Sequence, residues 1–496
     1  MCVLPQNDDR LKKRAFSSAA WKFAERFCAQ GVSLVVSILL ARMLVPEDYS
    51  VVGIVAIFFA FCNVFVSNGM NAALIQKKDT TVEDYSTVLY LNLSIAFVLY
   101  AVMFFCAPLI AELYEKEALV PILRVMSLTF FANALKSVLS AYVSNNLEFK
   151  QFFRSTIIGT VASAVVGVAM AYMGMGPWAL VAQEMTNTVI DTLILYLSTR
   201  MKFVKTFSFA RIRSMVSYGW KIMVSGVISV LYDNLSPLIV GLKFTTADLA
   251  YYNKGGSFPG LINNTVSDTL ASVLFPVMSK MQDDRTDVLN VTRRFVKVAS
   301  FVIFPMMVGL SAVADSFVSF LLTDKWLPAA VYIRIFCMAH MFNLVQVGNL
   351  QAIKAIGRSD ITLRLEVIKK SIYFVLIYLF VLLSDRPEVF ALSSIFCTIV
   401  AFVVNTYPNR KLLGYRYRYQ FADILPNLTI SVLMGVLVML TGRLPLPAGI
   451  LLPLQILTGV VAYVGLSVIT RNENFRYLLD FLMQIRKGDG NDDEKH

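Results

Sequence analysis

The chain has 496 residues, 57% of them hydrophobic and only 16% charged, with a mean hydropathy of +0.64. Soluble domains carry roughly 25% charged residues, so this composition excludes a set of water-facing domains. The net charge of +12, from 45 basic and 33 acidic residues, does not mark a nucleic-acid binder, because no basic cluster sits on a polar fold that presents it.

Six segments contain no Asp, Glu, Lys or Arg: 49–76, 85–111, 155–183, 389–409, 424–442 and 444–470. Each is near or above the roughly 20 residues that span a bilayer core. The fold class expected is therefore an all-α polytopic membrane protein. Apolar runs separated by Gly, Pro, Asn and charge give fourteen spans. Their limits are 19–41, 50–70, 86–111, 119–144, 155–174, 177–199, 216–242, 257–279, 295–322, 328–352, 366–384, 388–409, 424–442 and 447–469. Residues 1–14 form a basic cytoplasmic segment whose Arg10–Arg14 run leads into the first span without a small-residue cleavage site, so that helix is expected to be retained. The connections are short, leaving no loop for a catalytic domain.

Orientation follows from the basic residues between spans. With a cytoplasmic N-terminus, inward connections carry 29 Lys and Arg and outward connections carry 7. Both termini are then cytoplasmic, in a cytoplasmic membrane. Internal similarity divides the chain further. Trp21-Lys22 is echoed by Trp220-Lys221, Pro46-Glu-Asp by Thr246-Ala-Asp, Arg124 by Arg334 and Arg154 by Arg364. The reading is a parallel repeat: an N-lobe of helices 1–6 over 15–199, a basic linker over 200–215, and a C-lobe of helices 7–12 over 216–409. Helices 13 and 14 occupy 410–470, followed by an amphipathic segment and disordered tail over 471–496.

Charge deep in a span is costly and usually faces protein or water. The deepest polar residues are Lys136, Asp191, Asp233, Asp268 and His340, while Lys22, Arg26 and Lys221 lie in the first turns of spans 1 and 7. Lys136 either pairs with Asp191 or Asp268 as structural glue or lines a substrate cavity. Asp233, beside Asn234 and before Pro237, either satisfies freed backbone groups at a kink or binds a coupling cation. Lys22 and Lys221 either snorkel to headgroups or face the cavity. His340 is read as a hydrogen-bonded helix residue, Arg124 and Arg334 as anchors at the outer interface, and Tyr415–Tyr419 as an interfacial aromatic belt. The six cysteines show no C-x-x-C spacing and are read as small core residues. Two histidines, one of them terminal, cannot build a His-based metal site or a Ser-His-Asp triad, and no phosphate-binding loop signature is present. A transporter rather than an enzyme is expected, with glycan polymerases and ligases as the enzyme alternative.

Four local stretches carry a family resemblance: Leu40-Ala-Arg-Met-Leu-Val-Pro-Glu-Asp-Tyr49, Ile239-Val-Gly-Leu-Lys-Phe244, Asp248-Leu-Ala-Tyr-Tyr252 and Phe275-Pro-Val-Met-Ser-Lys-Met-Gln-Asp-Asp284. On these the chain, over about 15–470, resembles the polysaccharide-transporter branch of the multidrug/oligosaccharidyl-lipid/polysaccharide exporter superfamily, near the colanic-acid-type flippases. Ser50 and Ala250 stand where that family usually has Gly. The resemblance implies translocation of an undecaprenyl-diphosphate-linked oligosaccharide across a bacterial inner membrane by alternating access, for exopolysaccharide, capsule or O-antigen. Membrane lipids and the pathway's polymerase and glycosyltransferases are the other implied partners; nucleic acid is not one. A diphosphate head needs cations, and Lys22, Arg26, Lys136 and Lys221 are those placed in the cavity. Asp233, then Asp191 and Asp268, are the candidates for H+ or Na+ coupling, with no other cofactor and no metal. A cation-coupled multidrug exporter and a peptidoglycan-precursor flippase are the competing functions.

Overall fold

A computed structural model of the chain describes residues 28–77, 80–146, 148–281, 284–383 and 385–477. Among the described residues there is no β-strand. In chain order the helices are α1 (Cys28–Met43), α2 (Pro46–Gln76), α3 (Val82–Leu113), α4 (Leu119–Met126), α5 (Thr129–Asn146), α6 (Lys150–Tyr172), α7 (Pro177–Thr199), α8 (Phe209–Lys243) and α9 (Thr246–Lys280). There follow α10 (Arg285–Ala312), α11 (Ala314–Leu321), α12 (Ala329–Met341), α13 (Asn343–Ala355), α14 (Ser359–Leu383), α15 (Pro387–Ala391), α16 (Ser393–Leu412), α17 (Tyr417–Thr441) and α18 (Ala448–Ile469). Among the described residues every expected span coincides with one helix or one consecutive pair, the first half of the expected span 19–41 lying outside them. Ten of these, among the described residues, are long and apolar enough to cross a membrane. The expected basic segment 1–14 and the residues of the tail from 478 onward lie outside the described residues.

Two differences from the expected limits have physical causes. Helices α8, α9, α10, α14 and α17 begin well before their apolar stretches, because hydropathy marks the part that sits in lipid whereas backbone hydrogen bonding continues into charged residues. Spans 4, 9, 10 and 12 are each split in two. At the first split Ser127 donates its hydroxyl to the Arg124 carbonyl at 2.9 Å and Thr129 to that of Met126 at 2.7 Å, offering the backbone a competing partner. Ser127, Phe342 and Leu392 keep right-handed helical torsions, so at these three sites the split is a loosened turn.

The helix starts are fixed by capping. Asp48 accepts the Val45 N–H at 3.2 Å, Asp84 that of Thr81 at 2.9 Å and Asp248 that of Thr245 at 3.0 Å, each an N3 carboxylate reaching back to its cap. Asp48 and Asp248 belong to the echoed Pro46-Glu-Asp and Thr246-Ala-Asp pair, so this sequence similarity corresponds to one repeated structural device.

By contact density the chain forms two compact units, Met1–Ala250 and Tyr251–His496, with the boundary inside α9. In the first unit α6 packs along α7. Its buried face is Ser155, Gly159, Ser163, Gly167 and Ala171, a small residue every fourth position, which lets two helix backbones approach closely. Helix α8, expected as the first helix of the C-lobe, makes its contacts here against α2. Gly69 and Gly219 meet with so little space that a Cβ on either would stand 2.7 Å from the other's carbonyl oxygen. In the second unit α17 packs on α10 and α18.

The cysteine expectation holds for Cys62, Cys337 and Cys397, which are buried; Cys28 is exposed and Cys106 half-buried, and none of these is disulfide-bonded. The aromatic belt needs correction. Tyr419 is exposed, but Tyr415 is fully buried and donates its hydroxyl to Asp423 at 2.9 Å. Burial and the nearby Asp423 carboxylate push the Tyr415 phenol well above its ordinary value, so it stays a donor.

Candidate functional site

Three elements of the first unit bring polar side chains together. Lys136, on the second turn of α5, has its ammonium 2.5 Å from Asp191 Oδ2 on α7. Asp191 is buried, with its Oδ1 lacking any hydrogen-bond partner, whereas the Lys136 side chain remains 37% exposed. The structure thus makes Asp191 a partner of Lys136 and leaves the cation reachable. Why Asp191 can lie so deep is a packing matter. Gly159 of α6 faces it, and a Cβ there would come within 3.0 Å of Asp191 Cβ.

Glu184 is an exposed carboxylate on the same helix as Asp191. It precedes Asp191 by seven residues, two turns up the same helix face, and this spacing is the sequence signal that could have singled it out. On the neighbouring face Asn133, one turn before Lys136, donates to Asn63 of α2 at 3.0 Å. The cluster therefore holds one ammonium, two carboxylates and two amides. It can offer a cation to an anionic ligand.

The remaining candidates are placed as follows. Lys22 and Arg26 lie outside the described residues. Lys221 is in α8 and Asp268 in α9, with their side chains outside the described set. Asp233 is exposed on α8, and the adjacent Asn234 donates to the Val230 carbonyl at 2.9 Å. Pro237 does not interrupt α8, although it has no N–H for the Asp233 carbonyl. His340 is hydrogen-bonded through Nδ1 to Asn343 at 3.0 Å. Arg124 stacks over the Phe104 ring, 4.2 Å from its centroid, and Arg334 pairs with Asp315 at 2.5 Å. Ser50, one of the two departures from Gly, accepts the Lys116 ammonium at 3.1 Å. Burial holds that ammonium below the ordinary lysine value, against the opposing pull of Glu47 and Asp48.

Sequence reasoning missed one charged cluster outright. Arg211, in the basic stretch after α7, donates to Thr81 and Asp84 at 2.8 and 2.9 Å and also pairs with Glu83, while Lys77 reaches Asp84 at 2.6 Å. The start of α8 is thereby tied to the start of α3.

Residues 39–331 match the family described as polysaccharide biosynthesis protein. The chain belongs to that family. Among its relatives, the lipopolysaccharide biosynthesis protein WzxC of Escherichia coli strain K12 is 24% identical over 449 residues, covering 88% of this chain and 90% of that protein. The teichuronic acid biosynthesis protein TuaB of Bacillus subtilis strain 168 is 22% identical over 476 residues, covering 92% and 96%. The fold is that of the lipid II flippase MurJ in an inward closed conformation, with a TM-score of 0.75 at 16% identity over 93% of this chain and all of that one. An inward-facing multidrug resistance MATE family transporter of the MOP superfamily gives 0.57 at 14% identity, over 77% and 94%. The protein is a multi-pass membrane protein of the polysaccharide biosynthesis family, with a transporter-type fold.

Proposed function

We propose that the protein flips an undecaprenyl-diphosphate-linked oligosaccharide repeat unit from the inner to the outer leaflet of the bacterial cytoplasmic membrane. In this reading the chain crosses the membrane fourteen times with both termini cytoplasmic, as two six-helix lobes followed by two further helices. Membrane lipids surround it, and the pathway's polymerase and glycosyltransferases are its partners. The observation that carries the reading is the Lys136–Asp191 pair, in which a buried carboxylate holds an accessible ammonium 2.5 Å away. A lipid diphosphate competes with Asp191 for that ammonium through charge-assisted hydrogen bonds. Lys22, Arg26 and Lys221 supply further positive charge, and Asp233, Asp191 and Asp268 are the groups proposed to bind a coupling H+ or Na+. The names of the relatives support a glycan cargo; the MurJ likeness supports the fold.

The test is a flipping assay on purified protein in liposomes. A fluorescent lipid-diphosphate oligosaccharide placed in one leaflet should become accessible to a membrane-impermeant quencher or enzyme on the other side. A second reading, cation-coupled multidrug export, is favoured by the Asp191 carboxylate beside Lys136 and the Glu184 carboxylate two turns before it on the same helix. Transport of cationic dyes by the same liposomes, with no movement of the lipid-linked glycan, would establish it instead.

A further inference from the structure

Each unit carries the same pair of asparagines, bonded in one and separate in the other. In the first unit Asn133 donates Nδ2 to Asn63 Oδ1 at 3.0 Å, joining α5 to α2. Thr246 stands 200 residues after Pro46, and Arg334 stands 210 after Arg124. The same steps lead from Asn63 to Asn263 and from Asn133 to Asn343. Here the bond is not made. Asn263 is only 7% exposed, and its Oδ1 is buried without a partner, while its Nδ2 donates to Asn264 Oδ1 at 3.2 Å. Asn343 Nδ2 is directed instead at His340 Nδ1, 3.0 Å away.

The helix faces explain why these residues belong together. Tyr252, Gly256 and Asn263 share one face of α9 at helical spacing, as Phe336, His340 and Asn343 do on α12 and the start of α13. Where the two faces meet, the Phe336 ring lies 5.0 Å from that of Tyr252, and a Cβ at Gly256 would stand 3.3 Å from it. Phe336 in turn stacks on His340, with ring centroids 6.2 Å apart. At the place of His340 the first unit has Phe130, again 210 residues earlier, fully buried and 4.7 Å from Phe59 of α2. A phenyl ring has no lone pair to offer, so Asn133 bonds across to α2. An imidazole has one, and it holds Asn343 beside α12.

An amide NH2 can only donate, so Nδ1 is the acceptor and the neutral ring carries its proton on Nε2. A second proton, on Nδ1, removes that acceptor. Asn343 must then turn its amide, accept the new Nδ1–H on Oδ1 and release Nδ2. A donor is what Asn263 Oδ1 lacks. We propose that His340 is a proton-binding site of the second unit, and that its protonation hands Asn343 Nδ2 to Asn263 Oδ1, closing the bond between α9 and α13 that Asn63 and Asn133 make in the first unit. The proton comes from water; one hydrogen bond is lost and two are formed.

Fixed charges near the ring are few. Of the elements packed on α12, α10 has no ionisable side chain after Lys297, α13 none before Lys354 and α16 only Cys397 before Tyr407. Asp315 of α11 is paired with Arg334, and Glu388 stands at the start of the short α15. On α9 the charges flanking Asn263 are Lys254 and Asp268. The consequence for transport, a proton carried by His340 beside the aspartates named above, rests on the flippase reading; the site itself does not.

The chain has two histidines, and His496 is its last residue, so His496→Gln leaves one imidazole to observe. Full-length protein with nitrogen-15 histidine is placed in phosphatidylcholine nanodiscs and followed by NMR from about pH 8 to about pH 4, a range that brackets ordinary histidines. The ring should begin with its proton on Nε2 and a hydrogen-bonded, bare Nδ1, and gain the second proton within this range. Asn263→Leu removes the waiting acceptor and should lower the midpoint by about half to one pH unit, the worth of one hydrogen bond. Asn63→Leu, at the matching place in the first unit, should leave the midpoint unmoved. Thermal melts at about pH 8 give a second readout. Asn263→Leu alone replaces an amide whose oxygen has no donor and should not lower the melting temperature. In a His340→Phe background, where Asn343 is released, it should lower it by about 1–2 °C. A proton on Nδ1 at about pH 8, a ring still neutral at about pH 4, a midpoint indifferent to Asn263→Leu, or melts in which the two substitutions simply add would each overturn the proposal. None of these readouts uses a lipid-linked glycan, so failure of the flippase reading would leave them standing, and their failure would leave that reading untouched.

Discussion

Lys136 is both a structural partner and an accessible cation, and these two roles separate by mutation. Lys136→Met strands Asp191 as a buried, unpaired carboxylate, so we expect a loss of about 1–3 kcal/mol, less than for a fully buried pair because the lysine is partly solvated. Adding Asp191→Asn removes the stranded charge and should restore most of the melting temperature. Transport should not return with it. If the double variant flips the lipid-linked glycan at the wild-type rate, Lys136 does no more than neutralise Asp191. Lys136→Arg should retain part of the activity, since the charge persists on a planar and differently hydrated group. Glu184→Gln adds a separate check, because it removes a carboxylate that is accessible and should leave the stability within about 0.5 kcal/mol of wild type.

Helix packing in both units turns on what surrounds each glycine. A Cβ at Gly219 would meet a backbone oxygen of α2 at 2.7 Å, which cannot move without shifting the helix, so Gly219→Ala should cost about 1–3 kcal/mol by overpacking. A Cβ at Gly465 of α18 meets nothing within 4 Å. Gly465→Ala should instead stabilise by about 0.5–1 kcal/mol, since alanine loses less backbone freedom in a helix. Thermal melts of the two variants in one detergent make the comparison, and equal destabilisation by both would show that the space around each glycine does not decide the outcome. Gly159→Leu belongs with Gly219, for it drives a side chain into Asp191 and the Asn187 carbonyl.

The whole molecule is tested by its topology. Single cysteines introduced at Glu115 and Asp385, in a chain cleared of its native cysteines, should react with an impermeant thiol reagent from outside the cell. Cysteines at Lys202 and Asp283 should react only after permeabilisation. Labelling of Lys202 from outside would reverse the orientation inferred from 29 inward and 7 outward basic residues. In the cell, deleting the gene should abolish a surface polysaccharide and leave its lipid-linked repeat units in the inner leaflet; a normal polysaccharide with new sensitivity to cationic dyes would favour the exporter reading.

The positions of the helices were written in the sequence, since charge-free runs of bilayer length have no alternative to helix once water is absent. The family, too, was legible, because motifs such as Leu40–Tyr49 are local and survive without knowledge of the fold. Residue pairing was a different matter. Depth along a span left Lys136 with both Asp191 and Asp268 as possible partners, and only the packing of α5 on α7, with α6 close behind at Gly159, places Asp191 2.5 Å from it. Tyr415 shows the same limit from the other side: its aromatic, basic neighbourhood read as interface, yet the packing of α17 on α10 buries it against Asp423. Hydropathy has one dimension, distance along the chain and hence depth in the membrane. Which face of a helix meets which neighbour depends on the packing of all of them, and that was decided only in the folded protein.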